Sequence, residues 1–252
     1  MRTATNKNGS FYGRCAQNFS RVPPINNTYI ISDLHIGLPH FQQQLFREFM
    51  AHLPDSSRLV LNGDTIDDPT RQLSAEQQQA LDLLTANSRR LRIVWVEGNH
   101  DSGFRLQEPG NIAFVKYHII PELSVYIAHG EHFDNVMPYN RWFIKLFRSI
   151  HKLRIMLGAS PVHVAEYAKK WPLLYDYLRN NVATNAFEHA RENGWDNVAC
   201  GHIHFPEVRQ QDTCTYWNTG TWTENPPHYL FGSAGKFELR EYHGGCPAGG
   251  AI

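Results

Sequence analysis

The sequence predicts an α/β fold from three observations. Short apolar runs alternate with helical segments, each run stops at a cluster of Asp, Asn, Gly or His, and no apolar stretch reaches the ~20 residues a membrane span needs. The polar stops carry the most weight. In open α/β sheets ligands gather outside the carboxyl ends of strands, so the five clusters are expected to converge at one edge.

Residues 1–26 are polar and aperiodic, end in Pro23-Pro24, and read as a leader. Tyr29-Ile30-Ile31 is a short β-branched run that stops at Asp33, which predicts a buried strand. Residues 41–53 have helical character through Leu45, Phe46 and Phe49. Leu59-Val60-Leu61 is the next strand and ends at Gly63-Asp64. Ser74 opens a second helix, with Glu76 in its first turn and Leu81, Leu83 and Leu84 on its buried side. Ile93-Val94-Trp95-Val96 leads into Gly98-Asn99-His100-Asp101, Val125-Tyr126-Ile127-Ala128 into His129-Gly130, and Val198-Ala199-Cys200 into Gly201-His202-Ile203-His204. The first sheet is expected to be largely parallel, and 205–242 to supply short strands of a second sheet stacked on it. One domain then spans 27–243, and 244–252 is a small-residue tail.

Segment 135–193 breaks the rhythm as a long helical insertion, a cap. Within it Trp142, Leu146, Ile150, Leu153 and Leu157 recur at helical spacing, and Arg141, Lys145, Arg148 and Lys152 form a neighbouring basic stripe.

Composition narrows the function classes. With 252 residues, 42% of them hydrophobic, the chain fits one large domain or a domain with an insertion. A balance of 24 Lys+Arg against 24 Asp+Glu gives no reason to expect a nucleic-acid binder driven by overall charge. Four scattered cysteines without a C-x-x-C pair argue against a disulfide framework or a Cys-rich zinc site. Residues 1–10 lack the apolar stretch of a secretory signal, so a soluble cytoplasmic protein is expected. Histidine, at 14 residues, is the unusual count.

Those histidines mark the chemistry. Asp33, His35, Asp64, Asn99, His129, His202 and His204 form a mixed carboxylate, amide and imidazole set, suited to Mn, Fe or Zn ions. Asp33/His35 and His202/His204 have the i, i+2 spacing that can aim two ligands at one ion just past a strand. Seven ligands exceed one tetrahedral site and suit two ions sharing a carboxylate. Each cluster alone would be an ordinary turn. Five in order, each at a strand end, make a metal site.

The ordered series D-x-H, G-D, G-N-H-D, H-G and G-H-x-H over 29–242 resembles the calcineurin-like metallophosphoesterase superfamily. The resemblance implies a two-sheet β-sandwich flanked by helices. It places Asp33, His35, Asp64 and His204 around one ion, and Asp64 (bridging), Asn99, His129 and His202 around a second. Two cations about 3.5–4 Å apart would clamp a phosphoryl group and acidify a water toward pH ~7, and the resulting hydroxide would attack phosphorus in line. His100 has no metal assignment in that pattern, which leaves it to stabilise charge or protonate the leaving oxygen. The family pattern points to Asp67, three residues after the bridging aspartate, as its orienting partner; a plain turn acid is the other reading.

Within the superfamily, Ile31–Gly37, the run from His129 to Asp134 before the insertion, and Gly201–Glu207 followed by Tyr216–Trp222 are similar to UDP-2,3-diacylglucosamine hydrolases of lipid A synthesis. Such a substrate would set its phosphates against Arg141, Lys145 and Arg148 and its acyl chains against the apolar stripe, and the cap would offer peripheral contact with an anionic inner-membrane surface. The same stripe would also suit simple packing onto the sandwich. One departure stands out: the main branch of those hydrolases carries arginine where this chain has His100. The alternatives are a phosphatase of a phosphoprotein or small monoester, and a non-enzymatic interaction module on the same fold. The module would be expected to have lost ligands, whereas all seven positions here carry competent side chains.

Overall fold

The computed structural model describes residues 27–136 and 172–247. The first strand, β1 (Asn27–Ile31), pairs in parallel with β2 (Arg58–Asn62), which pairs in parallel with β3 (Arg92–Val96) and through it with the short β4 (Ala113–Val115). Helices α1 (Gln43–His52) and α2 (Ala75–Asn87) make the crossovers. Ser74 caps α2, its hydroxyl accepting from Gln77 N–H while the Gln77 side chain accepts from Ser74 N–H, so two orphan donors are satisfied reciprocally.

The second sheet runs β5 (His118–Ile120), β6 (Val125–Ile127), β7 (Asn197–Cys200), β9 (Cys214–Thr219), β8 (Pro206–Gln211). Strands β6, β7 and β9 are mutually parallel. Helix α3 (Pro172–Asn193) covers its outer face. The molecule is thus a two-sheet sandwich with helices on both outer faces. The buried side chains sort into three layers. Phe46, Phe49 and Leu84 pack on the outer face of the first sheet, Val182 and Ala186 on the outer face of the second, and Val60, Val94, Val125 and Ile127 fill the space between. Each of the buried Phe, Leu, Ile and Val side chains contributes about 1.5–3 kcal/mol.

One expectation changes. Only β8 and β9 of segment 205–242 join the second sheet. The hairpin of β10 (His228–Ser233) and β11 (Lys236–Glu241) returns to the first, antiparallel beside β1. Both faces of β10 are apolar: Leu230 enters the layer between the sheets, while Tyr229 and Phe231 pack against Tyr29 under α1. That demands helix cover on one side and a sheet on the other, and the position next to β1 supplies both. The insertion is described mainly toward its C-terminal end. Its last part is α3, whereas Arg141, Lys145 and Arg148 lie outside the described residues. Among the described residues no helix is long and apolar enough to cross a membrane.

Candidate metal centre

All five clusters follow the carboxyl ends of parallel strands: β1, β2 and β3 in one sheet, β6 and β7 in the other. Leaving these strands, Asp33, His35, Asp64, His202 and His204 take left-handed φ values of 54, 48, 50, 65 and 56°. Such backbone costs of order 1–3 kcal/mol and gathers at functional sites. Asp and His tolerate it better than most residues.

The loops lock to one another before they offer ligands. Asp33 N–H donates to Gly63 O (3.1 Å) and His35 N–H to Asp64 O (2.9 Å). Each aspartate then divides its oxygens. Asp33 Oδ2 accepts from His202 N–H (3.1 Å), while Oδ1 faces His204 Nε2 at 3.0 Å, His35 Nε2 at 3.9 Å and His129 Nε2 at 4.0 Å. Asp64 Oδ1 accepts from His100 N–H (2.8 Å), while Oδ2 faces His129 Nε2 at 3.2 Å and His35 and His100 Nε2 at 3.9 Å each. The backbone-bound oxygens sit where a side chain would otherwise be. A Cβ at Gly98 would lie 2.3 Å from Asp64 Oδ1, and one at Gly201 2.3 Å from Asp33 Oδ2. Only glycine lets those loops approach so closely.

Asp33, His35, Asp64, His129 and His204 are all nearly fully buried, and Asp33 Oδ1 and His129 Nε2 are among the buried polar atoms with no hydrogen bond of acceptable geometry. Buried carboxylate oxygen and imidazole nitrogen left so are what a cation would satisfy. Three groups have ligand atoms within 4.8 Å of one another: Asp33/His35/His204, Asp33/Asp64/His129 and His35/Asp64/His100. The donor set fits a divalent metal site.

The electrostatics agree. Burial would raise Asp64, but the charge of His129, with His100 and His35 behind it, outweighs that and holds the carboxyl well below the usual carboxylate range. Burial pushes His129 down, yet Asp64 and Asp33 hold it well above its ordinary value. His35 and His204 bring Nε2 atoms within 3.2 Å. Burial lowers His204 despite Asp33, whereas Asp67 and the two buried aspartates keep His35 raised against its own burial. Two imidazole nitrogens that close are held together by a single proton or by a cation between them.

Asn99 and His202 form an open side of the cluster. His202 Nδ1 lies 3.1 Å from Asn99 Oδ1, and its Nε2 lies 3.1 Å from the buried Asp134 Oδ2. His100, half out in solvent at the same mouth, bonds through Nδ1 to the backbone carbonyl of Asp67 (2.7 Å). The Asp67 carboxylate is nearer His35 Nδ1 (3.1 Å) than His100 Nδ1 (3.5 Å).

Two residues escape sequence reasoning. Asp134 turns His202 and also accepts from Val136 N–H at 2.8 Å, where the insertion begins. Asp101, fully buried, accepts from Gly98 N–H, Thr65 N–H and Trp95 Nε1–H, bracing the β2 and β3 loops together. Its position beside His100 was a signal; nothing in spacing marks Asp134 as facing a histidine 68 residues away.

The sequence model of the calcineurin-like phosphoesterases matches residues 27–206. The chain belongs to the calcineurin-like phosphoesterase family. It is a metal-dependent phosphoesterase, with its buried His/Asp cluster intact. No curated protein matches the chain. Among solved structures, this phosphoesterase is similar to Vacuolar Protein Sorting 29 from Cryptosporidium parvum (15% identity, 86% of this chain and 96% of that one, TM-score 0.44). It is also similar to the phosphoesterase YfcE from E. coli (16%, 81% and 87%, 0.41) and to a phosphopantetheinyl hydrolase from Mycobacterium tuberculosis (16%, 85% and 95%, 0.37).

Proposed function

We propose that this phosphoesterase works with two divalent cations, manganese foremost, and cleaves the pyrophosphate bond of UDP-2,3-diacylglucosamine or a closely related lipid nucleotide. One observation carries the two-cation reading. Asp64 Oδ2 lies within 3.9 Å of imidazole nitrogens from three separate loops, His129, His35 and His100, which is the place of a bridging ligand. Asp33, His35 and His204 complete one half, and Asn99, His129 and His202 the other. Such ions supply Lewis acidity toward a phosphoryl oxygen and a water acidified toward neutral pH.

The chain's own residues do the rest. With Nδ1–H donating to the Asp67 carbonyl, His100 turns Nε2 toward the cluster, where it can hold a proton for the leaving oxygen. Asp67 positions His35 through its carboxylate and His100 through its backbone. Arg141, Lys145 and Arg148 of the insertion would meet the phosphates. Support for the lipid nucleotide comes from the motif runs around Asp33, His129 and His202 and from the basic, apolar-striped cap.

The test is release of UMP from UDP-2,3-diacylglucosamine by the Mn-loaded protein. Intact lipid nucleotide alongside hydrolysis of simple chromogenic esters would remove the substrate and keep the phosphoesterase. A second reading, a monoester phosphatase, is favoured by histidine rather than arginine at His100. It predicts turnover of p-nitrophenyl phosphate and none of bis(p-nitrophenyl) phosphate.

A further inference from the structure

We propose that Arg58 and His118 form a binding site for a small halide-sized anion between the two sheets. Side-chain alternation sets the location. On β2, Leu59 and Leu61 pack under the helices while Val60 enters the layer between the sheets, so Arg58 faces that layer too. By the same count Arg92 shares its face with Val94, and His118 with Ile120.

Arg58 is 7% exposed, and one nitrogen, Nη2, donates to Glu122 Oε1 at 3.0 Å. Its Nε and Nη1 are buried with no hydrogen-bond partner among the described residues, and so is His118 Nε2. A buried guanidinium with unused donors is among the costliest arrangements a fold can keep. Glu122 offsets it poorly, because its side chain is 57% exposed and bonds only one corner of the fork.

The sign of the deficit identifies the ligand. The unused atoms are guanidinium N–H donors and an imidazole nitrogen that becomes a donor in one tautomer. The local field is positive as well: burial, then Arg58 and Arg92, hold His118 down to about 4, with Glu122 opposing only in part. A water would meet the hydrogen bonds but leave the charge uncompensated; an anion meets both. Between sheets packed about 10 Å apart, a compact ion rather than a phosphate ester could sit among the side chains. A recess of about 420 Å³, lined by Thr28, Glu122, Leu123 and Gly232 among others, reaches the Glu122 side of the ion pair.

Crystals of the full chain, loaded with manganese acetate and soaked in sodium bromide, test this directly. A bromide anomalous peak in contact with Arg58 Nη1 or Nε and with His118 Nε2 is expected. A water without anomalous signal at that point overturns the site. In solution, Tm should rise in a saturable way with chloride or bromide, against gluconate at constant ionic strength, and Arg58→Met should abolish the rise. Should that variant fail to fold, His118→Gln keeps the arginine and should weaken halide affinity several-fold. Equal Tm in all three salts for the unaltered chain overturns the proposal, whatever the variants do.

Discussion

Two charged clusters are built into this sandwich, at opposite ends of β2, and their unpartnered buried atoms are of opposite kind. Past the carboxyl end stand Asp33 Oδ1 and His129 Nε2, turned to a cluster of carboxylates and imidazoles. At the amino end stand the Nε and Nη1 donors of Arg58. The difference teaches that burial alone does not define a site. The character of the gathered atoms does: carboxylate oxygens and imidazole nitrogens brought together suit a cation, unused guanidinium donors an anion.

The comparison breaks most visibly at Asp64. Asp64→Ala removes the oxygen facing three imidazoles, so metal content by elemental analysis and turnover should both fall to background. Retention of both ions would dismantle the shared-carboxylate centre. His100→Ala should keep its metals and lose turnover by roughly 10²–10⁴-fold, the range for acid–base and charge-stabilising groups. Lost metal with turnover preserved would reverse that assignment. Asp134→Asn leaves His202 in place but disturbs the bond that turns it. Affinity for one of the two proposed metal equivalents should drop about 10–100-fold by calorimetry, with the other unchanged. Equal affinities would show His202 to be held by other contacts.

The smallest effect lies at the anion end. His118 is held down to about 4 in the fold from an ordinary 6.5. Between those values the unfolded chain takes up a proton that the fold refuses, so stability falls as pH drops from 6.5 toward about 4. In low-halide buffer His118→Gln should flatten that slope in urea unfolding. An unaltered slope would mean that other groups carry it.

Much of the metal end was legible because its signals are local. A short apolar run followed by Gly-Asp or Asp-x-His encodes a strand end and the polar side chains just past it within seven residues, as at Leu59 to Asp64. What stayed hidden is partner choice. The run Tyr229-Leu230-Phe231 announces a strand but not that it lies beside β1. Strands β4 and β5, three residues each and largely half-buried or exposed, carry little signal, whereas the equally short β6 is marked by the His129-Gly130 that follows it. Asp134 and Arg58 show the same limit. One is an acid in a turn and the other a charge before a strand, until the fold brings His202 and Glu122 against them.

The left-handed backbone at five of the cluster residues has a consequence for how this centre can change over time. Few side chains accept that conformation easily, and asparagine, aspartate and histidine lead them once glycine is set aside. These are also the oxygen and nitrogen donors that hard and borderline ions prefer. Chain geometry and coordination chemistry therefore draw on one small alphabet here. A copy that lost its chemistry could trade Asp33 for asparagine with little harm to the turn, and would still look like an enzyme to anyone reading its loops.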